Sequence, residues 1–377
     1  MNLRLSPLIT VVLALLSGCQ DVPLTHQVAP HHKKIKKLIV AAPALPVQAD
    51  SVCIAAVGDI MLGTSYPDKK TLPPDSAKNS FKNVINELRA ADITFGNLEG
   101  TLLDTGAPAY HKLHLLSKGY LFRTPVSYGA VLKDAGFNLL SLANNHIGDF
   151  GGPGRASTMK ALDSLGIQYG GLIAHPSAIF KVKGLTFGFC AFAPSGETLS
   201  IFGLENASRI IKNLKQQCDI VIVSFHGGVE GKTAEHVPFG NEMLRTEKRG
   251  NVYAFAHNAI DAGADLILGN GPHVCRAIEL YKNRLIAYSL GNFCTYKCVS
   301  IEGICGIAPL LKFYVNKKGE FLNGRIIADK QTRDGGLEPD SLHRAINKIR
   351  DLTNADFPEA GLTITDDGRI MLKPDNP

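Results

Sequence analysis

The 377-residue sequence has no tryptophan, only five methionines and no apolar run as long as the ~20 residues that a bilayer-spanning helix needs. A polytopic membrane protein is therefore excluded. Charged residues make up only 20% of the chain and hydrophobic residues 45%, which excludes a disordered or coiled-coil protein and indicates a globular one with a large core. The net charge of +6 is not gathered into a run that would indicate a nucleic-acid-binding protein.

The first residues, MNLRLSPLITVVLALLSGCQ, have the features of an export signal. Arg4 precedes an apolar stretch that ends at Leu16 and has the proportions of a signal-peptide core. Leu16-Ser17-Gly18-Cys19 resembles a bacterial lipobox, in which the cysteine is lipidated and becomes the first residue after cleavage. Because Gln20 rather than Asp follows Cys19, the resemblance favours the outer membrane. We predict a signal peptide over 1–18 and an exported protein, lipid-anchored to the bacterial membrane, on the periplasmic face of the outer membrane if the cell has two. The alternative is an ordinary buried apolar helix.

Residues 19–50 are predicted to form a flexible tether, because they combine scattered prolines with an alanine-rich end. This segment also contains a basic run with Lys33, Lys34, Lys36 and Lys37. Close to a membrane anchor, such a run is suited to anionic headgroups or to a polyanionic polymer. A solvated linker with no ligand is the simpler interpretation.

Seven cysteines remain after Cys19 is set aside from the eight in the chain. An exported protein meets an oxidising compartment, so disulfides are permitted, and an odd number leaves at least one thiol unpaired. The pairing is left open among Cys53, Cys190, Cys218, Cys275, Cys294, Cys298 and Cys305. The last three form the one cluster, where a disulfide is plausible. A zinc site there is disfavoured, because there is no C-x2-C pair or matching histidine.

From residue 51 the sequence repeats one pattern, a short apolar run followed by a glycine-bearing loop with Asp, Asn, Glu or His. The predicted strands are Val52–Val57, Asp92–Phe95, Phe137–Ala143, Leu185–Ala193, Asp219–Phe225, Asp265–Leu268 and Leu285–Leu290. Helical patterns lie between several of them, at Phe81–Ala91, Tyr128–Ala135, Ala156–Leu165, Ala207–Cys218 and Val252–Ala262. Strands that alternate with helices indicate an α/β fold, whose ligands bind beyond the carboxyl ends of the strands.

The α/β domain is predicted to cover 51–330. A hairpin over residues 316–319 joins its last strands, Leu310–Val315 and Glu320–Ile327. Residues 331–377 are predicted to be a C-terminal extension, helical at Ser341–Leu352, that forms a peripheral cap.

The residues that follow the predicted strands include a set suited to a divalent metal. Carboxylate, imidazole and amide oxygen are ligands for Mn, Zn, Fe or Mg. The candidate metal ligands are Asp59, Glu99, Asn145, His226 and His273. Two metals about 3.5–4 Å apart can turn a bridging water into hydroxide and clamp a phosphoryl oxygen. His146 is the candidate general acid, and Asp149 is placed to orient its imidazole.

Further polar residues near the strand ends are candidates for holding substrate or orienting ligands: Asn97, Asn144, Glu230, Arg249, Asn270 and Asn292. Several of the candidate residues also have a structural interpretation. Asp59 can cap a helix or accept backbone N–H groups, His226 can be a hydrogen-bonded core histidine, and His273 can be a turn residue. Asn97 and Asn144 are more typical of loop braces than of metal ligands. The histidines away from strand ends are interpreted as surface or structural residues: His111, His114, His175, His257 and His343.

The polar strand ends also carry a family resemblance. The segments VGDIMLG (57–63), FGNLEGTL (95–102), LANNHIGDFG (142–151), SFHGGVEG (224–231) and GADLILGNGPHV…YSLGNF (263–293) resemble the successive motifs of the CapA/PgsA family of poly-γ-glutamate capsule synthesis proteins. The resemblance covers about residues 51–295. It implies a calcineurin-like metallophosphoesterase fold, a four-layer α/β/β/α sandwich, in an exported, membrane-associated protein.

The same resemblance assigns site residues by motif. It implies that Asp59, Glu99, Asn145, His226 and His273 hold metal and that His146 is the acid. Two positions depart from the metallophosphoesterase pattern. This chain has Met61 and Asn270 where that pattern has histidines. One metal site is therefore expected to be weak, single or absent.

Three functional hypotheses follow. The first is an exported lipoprotein that supports synthesis, export or surface retention of an anionic polymer such as poly-γ-glutamate, with membrane subunits of a capsule complex as candidate partners. The second is a metal-dependent hydrolase of a phosphoester or related bond in the cell envelope. The third is a non-catalytic binding module of the same fold. No G-x4-GK[ST] loop is present, so nothing in the chain resembles the ATP-dependent ligase that would make the polymer.

Overall fold

The computed structural model describes residues 50–115 and 120–374. The strands in chain order are β1 (Val52–Met61), β2 (Ile93–Leu98), β3 (Thr101–Leu102), β4 (Arg123–Thr124), β5 (Leu139–Ser141), β6 (Gln168–Gly170), β7 (Ser177–Val182), β8 (Leu185–Ala193), β9 (Leu199–Ser200), β10 (Ile220–His226), β11 (Glu242–Leu244), β12 (Glu247–Gly250), β13 (Leu266–Asn270), β14 (Ile278–Tyr281), β15 (Arg284–Ala287), β16 (Asn292–Thr295), β17 (Ile307–Val315), β18 (Phe321–Gln331), β19 (Leu337–Pro339), β20 (Leu362–Ile364) and β21 (Arg369–Leu372). The α-helices are α1 (Ile85–Arg89), α2 (Tyr128–Ala135), α3 (Gly151–Leu165), α4 (Leu204–Lys215), α5 (Val252–Asp261) and α6 (Arg344–Asp356). None of the helices in these residues has the length and apolar character needed to cross a membrane.

Two large sheets form the centre of the domain. The first has the order β20-β21-β18-β17-β1-β2-β5-β6, with β16 beside β1 and β19 beside β18. The second has the order β14-β15-β13-β10-β8-β7, with β9 beside β8. Every residue of β1 and of β10 is buried, as expected of central strands covered on both faces.

The sheets pack face to face, and helices cover their outer faces. Phe95 of β2 packs near Phe189 of β8 in the core between the sheets, with ring centroids 6.0 Å apart. On the outer face of the first sheet a second core includes Leu88, Leu132 and Leu162 from α1, α2 and α3. Helices α4 and α5 supply a third core on the second sheet. The four-layer α/β/β/α sandwich predicted from the sequence is therefore confirmed.

Most predicted elements are present, with shifted ends. Tyr128–Ala135 and Leu185–Ala193 have the predicted bounds. The helix predicted over Phe81–Ala91 is confined to Ile85–Arg89, and its N-cap residue, Val84, offers no side-chain hydrogen bond. Turns occupy the residues before it.

The description of the C-terminal extension as a peripheral cap is wrong. Strands β19 and β21 pair with β18 and so extend the first sheet. Ala345, Ile346 and Ile349 of α6 belong to the core between the sheets. These side chains are apolar at helical spacing, so burying them against the sheets stabilises the domain.

The cysteines of the described residues are all unpaired, buried thiols. The structure therefore does not show the disulfide considered for Cys294, Cys298 and Cys305. Cys19 and the basic tether lie outside the described residues.

Candidate metal centre

The centre lies where the carboxyl ends of parallel strands from both sheets meet. Asp59 is near the end of β1, and Asn97 is on the neighbouring parallel strand, β2. In the second sheet His226 ends β10 and is in register with Asn270 at the end of β13. Parallel strands bring such end residues to one edge of a sheet, which is where α/β proteins bind ligands.

Two glycines allow the loops of the centre to approach closely. A Cβ on Gly58 would collide with the carbonyl oxygen of Gly291, to which Asp59 N–H donates a 2.9 Å hydrogen bond. Gly271 has φ +118°, and a Cβ there would lie 2.6 Å from the carbonyl oxygen of Gly227. Only glycine fits either position without displacing backbone, so both are required by the geometry of the site.

Asp59 connects the first sheet to the loop that follows β13. Asn97 Nδ2 donates to Asp59 Oδ1 over 2.8 Å, and His273 Nδ1 lies 2.8 Å from Asp59 Oδ2. Asp59 is fully buried and accepts these side chains as hydrogen-bond partners. Asn292 Oδ1 is a second partner of His273 Nδ1, at 3.0 Å.

Glu99, His226 and His273 form a group of metal-type ligands. One potential ligand atom from each lies within 4.8 Å of the others. The Glu99 carboxylate is 3.9 Å from His226 Nδ1 and 3.7 Å from His273 Nε2. Glu99 and His226 are buried, and the side chain of His273 is 17% exposed. One carboxylate and two imidazoles match the ligand chemistry of Zn, Mn or Fe.

Burial and mutual charge shift the pKa of each group in this cluster. Burial, then the charge of Asp59, raises the pKa of Glu99 well above its usual value. Burial, together with the Arg249 guanidinium, holds the pKa of His226 well below the usual value. Burial alone would lower the pKa of His273, but the carboxylates of Glu99 and Asp59 outweigh it and raise that pKa to about 10. Neutral His226 is the form that binds metal.

Several buried polar atoms of the centre have no hydrogen-bond partner among the described residues. They are Glu99 Oε1, His226 Nε2, Asn145 Oδ1 and both amide atoms of Asn270. Leaving a buried donor or acceptor unsatisfied costs about 1–3 kcal/mol, more for a charged group. A divalent cation accepts carboxylate, imidazole and amide oxygen, so these residues fit a bound metal.

His146 is held from two sides. Its Nδ1 lies 2.8 Å from Asp149 Oδ2, and its ring stacks on Phe122 with centroids 4.0 Å apart. The Phe122 N–H also donates to Asp149 Oδ2 over 2.8 Å. Within the described part of the chain, the hydrogen bonds of His146 are made by its backbone N–H and by Nδ1, which leaves Nε2 for a ligand.

Asn97 and Asn144 make hydrogen bonds that connect the loops around the centre. Asn144 Nδ2 donates to the carbonyl oxygen of Leu98 over 2.9 Å, and its Oδ1 accepts the N–H groups of His146 and Ile147. Asn97 Nδ2 also reaches Glu99 Oε2 at 3.2 Å.

Arg249 and Glu230 form a pair at the edge of the centre. Arg249 is fully buried, and its Nη2 lies 2.8 Å from Glu230 Oε1. The charge of Glu230 contributes to raising the pKa of both Glu99 and His273. The Arg249–Glu230 pair therefore affects the pKa values of Glu99, His226 and His273.

Met61, one of the two departures from the phosphoesterase pattern, is part of a small apolar cluster with Phe122 and Cys298. Its Sδ accepts the N–H of Gly63 over 3.2 Å. This packing explains how methionine is accommodated next to a polar site.

Lys112 and Phe122 are site residues that sequence reasoning missed. Lys112 Nζ lies 3.2 Å from Asp149 Oδ1 and donates to the carbonyl oxygen of Asn145 over 2.8 Å. Lys112 lies in the 3-10 helix Tyr110–Leu115 and Phe122 directly precedes β4, two short elements that the sequence analysis did not predict. The alternating aromatics around Phe122 give at most a weak signal for burial.

Comparison with known proteins identifies the class to which this fold and site belong. The family described as "Bacterial capsule synthesis protein PGA_cap" matches residues 53–297. The chain belongs to this family, as the sequence motifs predict.

Two curated relatives illustrate the family. The "Capsule biosynthesis protein CapA" of Bacillus anthracis is 29% identical over 282 residues, 69% of this chain and 63% of the relative. The "PGA biosynthesis protein CapA" of Bacillus subtilis (strain 168) is 32% identical over 270 residues, 67% of this chain and 65% of the relative. The chain thus matches less than two thirds of the length of each.

Solved structures with a similar arrangement include the 5'-nucleotidase precursor of Thermus thermophilus. It has a TM-score of 0.42 and 13% identity, over 78% of this chain and 57% of that one. Purple acid phosphatase PPD1 of yellow lupin (Lupinus luteus) has a TM-score of 0.39 and 13% identity, over 78% of this chain and 53% of that one. Structural similarities with TM-scores this low add no evidence beyond the sheet topology described above.

Proposed function

We propose that the protein supports the synthesis, export or surface retention of an anionic polymer such as poly-γ-glutamate, through a metal-bearing pocket at the Glu99–His226–His273 group. Membership of the capsule synthesis family supports the pathway. The two Bacillus relatives are named for capsule and PGA biosynthesis. The observation that carries the pocket is the set of buried polar atoms that have no hydrogen-bond partner in residues 50–115 and 120–374, together with the Glu99–His226–His273 group.

Glu99, His226 and His273 are the residues that would hold a divalent metal, with Asn145 as a further oxygen ligand. When bound, the metal would supply positive charge to polarise a carboxylate or phosphoryl oxygen. Asp59 holds His273 in place through its 2.8 Å contact with Nδ1, so Nε2 remains on the side of Glu99. The bracing asparagines fix the loops that carry the ligands.

The proposal includes export and lipid anchoring through Cys19, with the tether between anchor and domain. The basic run of the tether would then lie near the membrane or the polymer, where salt screens its charges. Membrane subunits of a capsule complex are the proposed partners. Neutralising Lys33, Lys34, Lys36 and Lys37 is expected to weaken salt-sensitive polymer retention. If the amount of retained polymer changes neither with salt nor with these substitutions, the tether has no part in retention.

The test of the pocket is made in the producing cell. Chromosomal His226→Ala and His273→Ala are expected to reduce cell-associated anionic polymer, while protein abundance, followed by immunoblot, stays at the wild-type level. Tyr110→Phe is the control, because Tyr110 is 90% exposed and is not part of the Glu99–His226–His273 group. Normal polymer in both histidine variants would contradict the pocket's role.

A second candidate function, metal-dependent hydrolysis of a phosphoester or related bond, is supported by the His146–Asp149 pair. Nδ1 faces Asp149, so the protonated imidazole presents its Nε2 proton away from that carboxylate. This is the arrangement of a general acid that protonates a leaving group. A screen of phosphoesters with Mn²⁺ is expected to find turnover that His146→Gln reduces about 100-fold or more. Equal turnover in His146→Gln would remove His146 as the acid.

A further inference from the structure

Lys112 is a charged side chain beside the candidate acid that the proposed function does not use. Its side chain is 15% exposed, and Nζ lies 3.2 Å from Asp149 Oδ1. The same Nζ donates to the carbonyl oxygen of Asn145 over 2.8 Å. One ammonium group thus contacts both the residue that orients His146 and the backbone of a candidate metal ligand.

The two oxygens of Asp149 have separate surroundings. Oδ2 accepts from the Phe122 N–H over 2.8 Å and lies 2.8 Å from His146 Nδ1. Oδ1 accepts no hydrogen bond of good geometry in the described residues, and the Lys112 ammonium is its charged neighbour. The Asp149 side chain is fully buried, and a buried carboxylate is costly without a partner of opposite charge.

The segment that carries Lys112 has a second connection to the Asp149 loop. The Ala109 N–H donates to the carbonyl oxygen of Asp149 over 2.8 Å, which ties the backbone before Lys112 to the same loop. Removing the ammonium would therefore leave this backbone connection. What it would remove is the charge that fixes Asp149 Oδ1 and the bond to Asn145.

We propose that Lys112 is a positioning residue, whose ammonium holds the Asp149 carboxylate and the Asn145 peptide so that His146 keeps a single orientation beside the metal-binding group. The inference rests on the second candidate function, hydrolysis with His146 as acid. Lys112 acts through Asp149 and touches no substrate in this scheme. Supporting contacts of this kind are typically worth 10–100-fold in activity or metal affinity.

The test uses the full chain with Lys112→Met, Lys112→Arg and a matched control, Lys312→Met. Lys312 has the same side-chain exposure, 15%, and an ion pair of 2.8 Å with Glu87, in the first sheet and not in the centre. Lys312→Met therefore reproduces the loss of a largely buried ammonium without touching Asp149. Urea unfolding of each variant verifies that it is folded.

The first readout is the low-field NMR signal of the His146 Nδ1–H in protein with ¹⁵N-labelled histidine, assigned by its loss in His146→Gln. Lys112→Met is expected to broaden or shift this signal, whereas Lys112→Arg and Lys312→Met retain it. An unchanged signal in folded Lys112→Met would overturn the proposal. A change of the same size in Lys312→Met would do so as well.

The second readout is turnover of p-nitrophenyl phosphate with Mn²⁺. Lys112→Met is expected to lower kcat about 10–100-fold at unchanged KM, with Lys112→Arg restoring most of it. Equal kcat in Lys112→Met would overturn the proposal. If the wild-type chain does not turn over any phosphoester, the hydrolytic function fails, and the NMR signal alone decides whether Lys112 orients His146.

Discussion

Two groups of buried ionisable residues differ in how completely their polar atoms are hydrogen-bonded. One lies in and beside the second sheet, and the other, the metal-type group, lies where the two sheets meet. The paired cluster comprises two sets of side chains, Glu242 with Arg276 and Glu279 with His257 and Tyr288. Arg276 binds both oxygens of Glu242 at 2.9 and 2.7 Å. Arg276 Nε donates to the carbonyl oxygen of Ala234 over 2.7 Å. In the metal-type group, Glu99 and His226 each keep a buried atom without a partner.

The difference separates structural from functional burial. Buried polar atoms are nearly always hydrogen-bonded, so a satisfied cluster needs no ligand. Atoms left open at the carboxyl ends of parallel strands require a different explanation, and a divalent cation supplies one. Variants of the two groups, and of a third buried carboxylate, test this difference. They are taken from the largest expected effect to the smallest.

Breaking the paired cluster is expected to cost the most stability. Arg276→Met leaves the Glu242 carboxylate buried without its partner and should lower the free energy of unfolding by about 3–5 kcal/mol. Urea unfolding measures the change. Arg333→Met is the control, because Arg333 and its partner Glu302 are 84% and 69% exposed, and it should cost less than about 1 kcal/mol. Similar losses in both variants would contradict the account of the buried pair.

Adding a divalent metal is expected to stabilise the chain through the other group. At a hundred times the dissociation constant, a metal that binds only the folded state adds about 2.7 kcal/mol to the free energy of unfolding. The increase should disappear in His226→Ala and persist in Tyr288→Phe. Thermal unfolding with and without Mn²⁺ or Zn²⁺ measures it, and an equal increase in His226→Ala would place the metal elsewhere.

A third buried carboxylate, Asp329, predicts a pH dependence. Burial, then the nearby acids Glu87 and Asp340, raises the pKa of Asp329 to about 7. Because the folded-state pKa of Asp329 is raised, its protonated form is favoured by folding. The stability that this provides below pH ~4 is lost progressively as the pH rises towards 7. Relative to wild type, Asp329→Asn should therefore gain stability over this interval. Urea unfolding measures the free energy of unfolding of both proteins against pH. The same pH dependence in wild type and Asp329→Asn would contradict a raised pKa for Asp329.

The smallest effect is expected for one hydrogen bond of the paired cluster. Tyr288 Oη donates to Glu279 Oε2 over 2.7 Å, and burial, then the Glu279 charge, raises the pKa of Tyr288. Tyr288→Phe should lower the free energy of unfolding by about 1 kcal/mol, because His257 still contacts the carboxylate. Tyr110→Phe, at a 90% exposed position, should have almost no effect. Indistinguishable urea midpoints for the two variants would show that this bond contributes nothing.

The sequence was sufficient for the parts of the fold that depend on local pattern. The apolar run of β8 and the amphipathic period of α2 predicted their bounds, and polar residues after the apolar runs located the strand ends. Glycines beside these residues indicated close approach, which Gly58 and Gly271 show.

The remainder depends on contacts between distant segments. Strands β19 and β21 are short, so their pairing with β18 could not be predicted from their own residues. Lys112 meets Asp149 from a single short 3-10 helix, Tyr110–Leu115, and only the fold brings the two together. The pairing of Asp59 with His273 spans 214 positions; their places after predicted strands put both in one site, but their direct contact lies beyond any local pattern.

The central claim is that Glu99, His226 and His273 bind a divalent metal. It is tested most directly by plasma mass spectrometry of the full chain beside His226→Ala and His273→Ala, with Tyr288→Phe as the folded control. We predict a stoichiometric amount of a transition metal in wild type and Tyr288→Phe and its loss in both histidine variants. A well-folded wild-type chain without metal, or with the same metal content in all four proteins, would contradict the account.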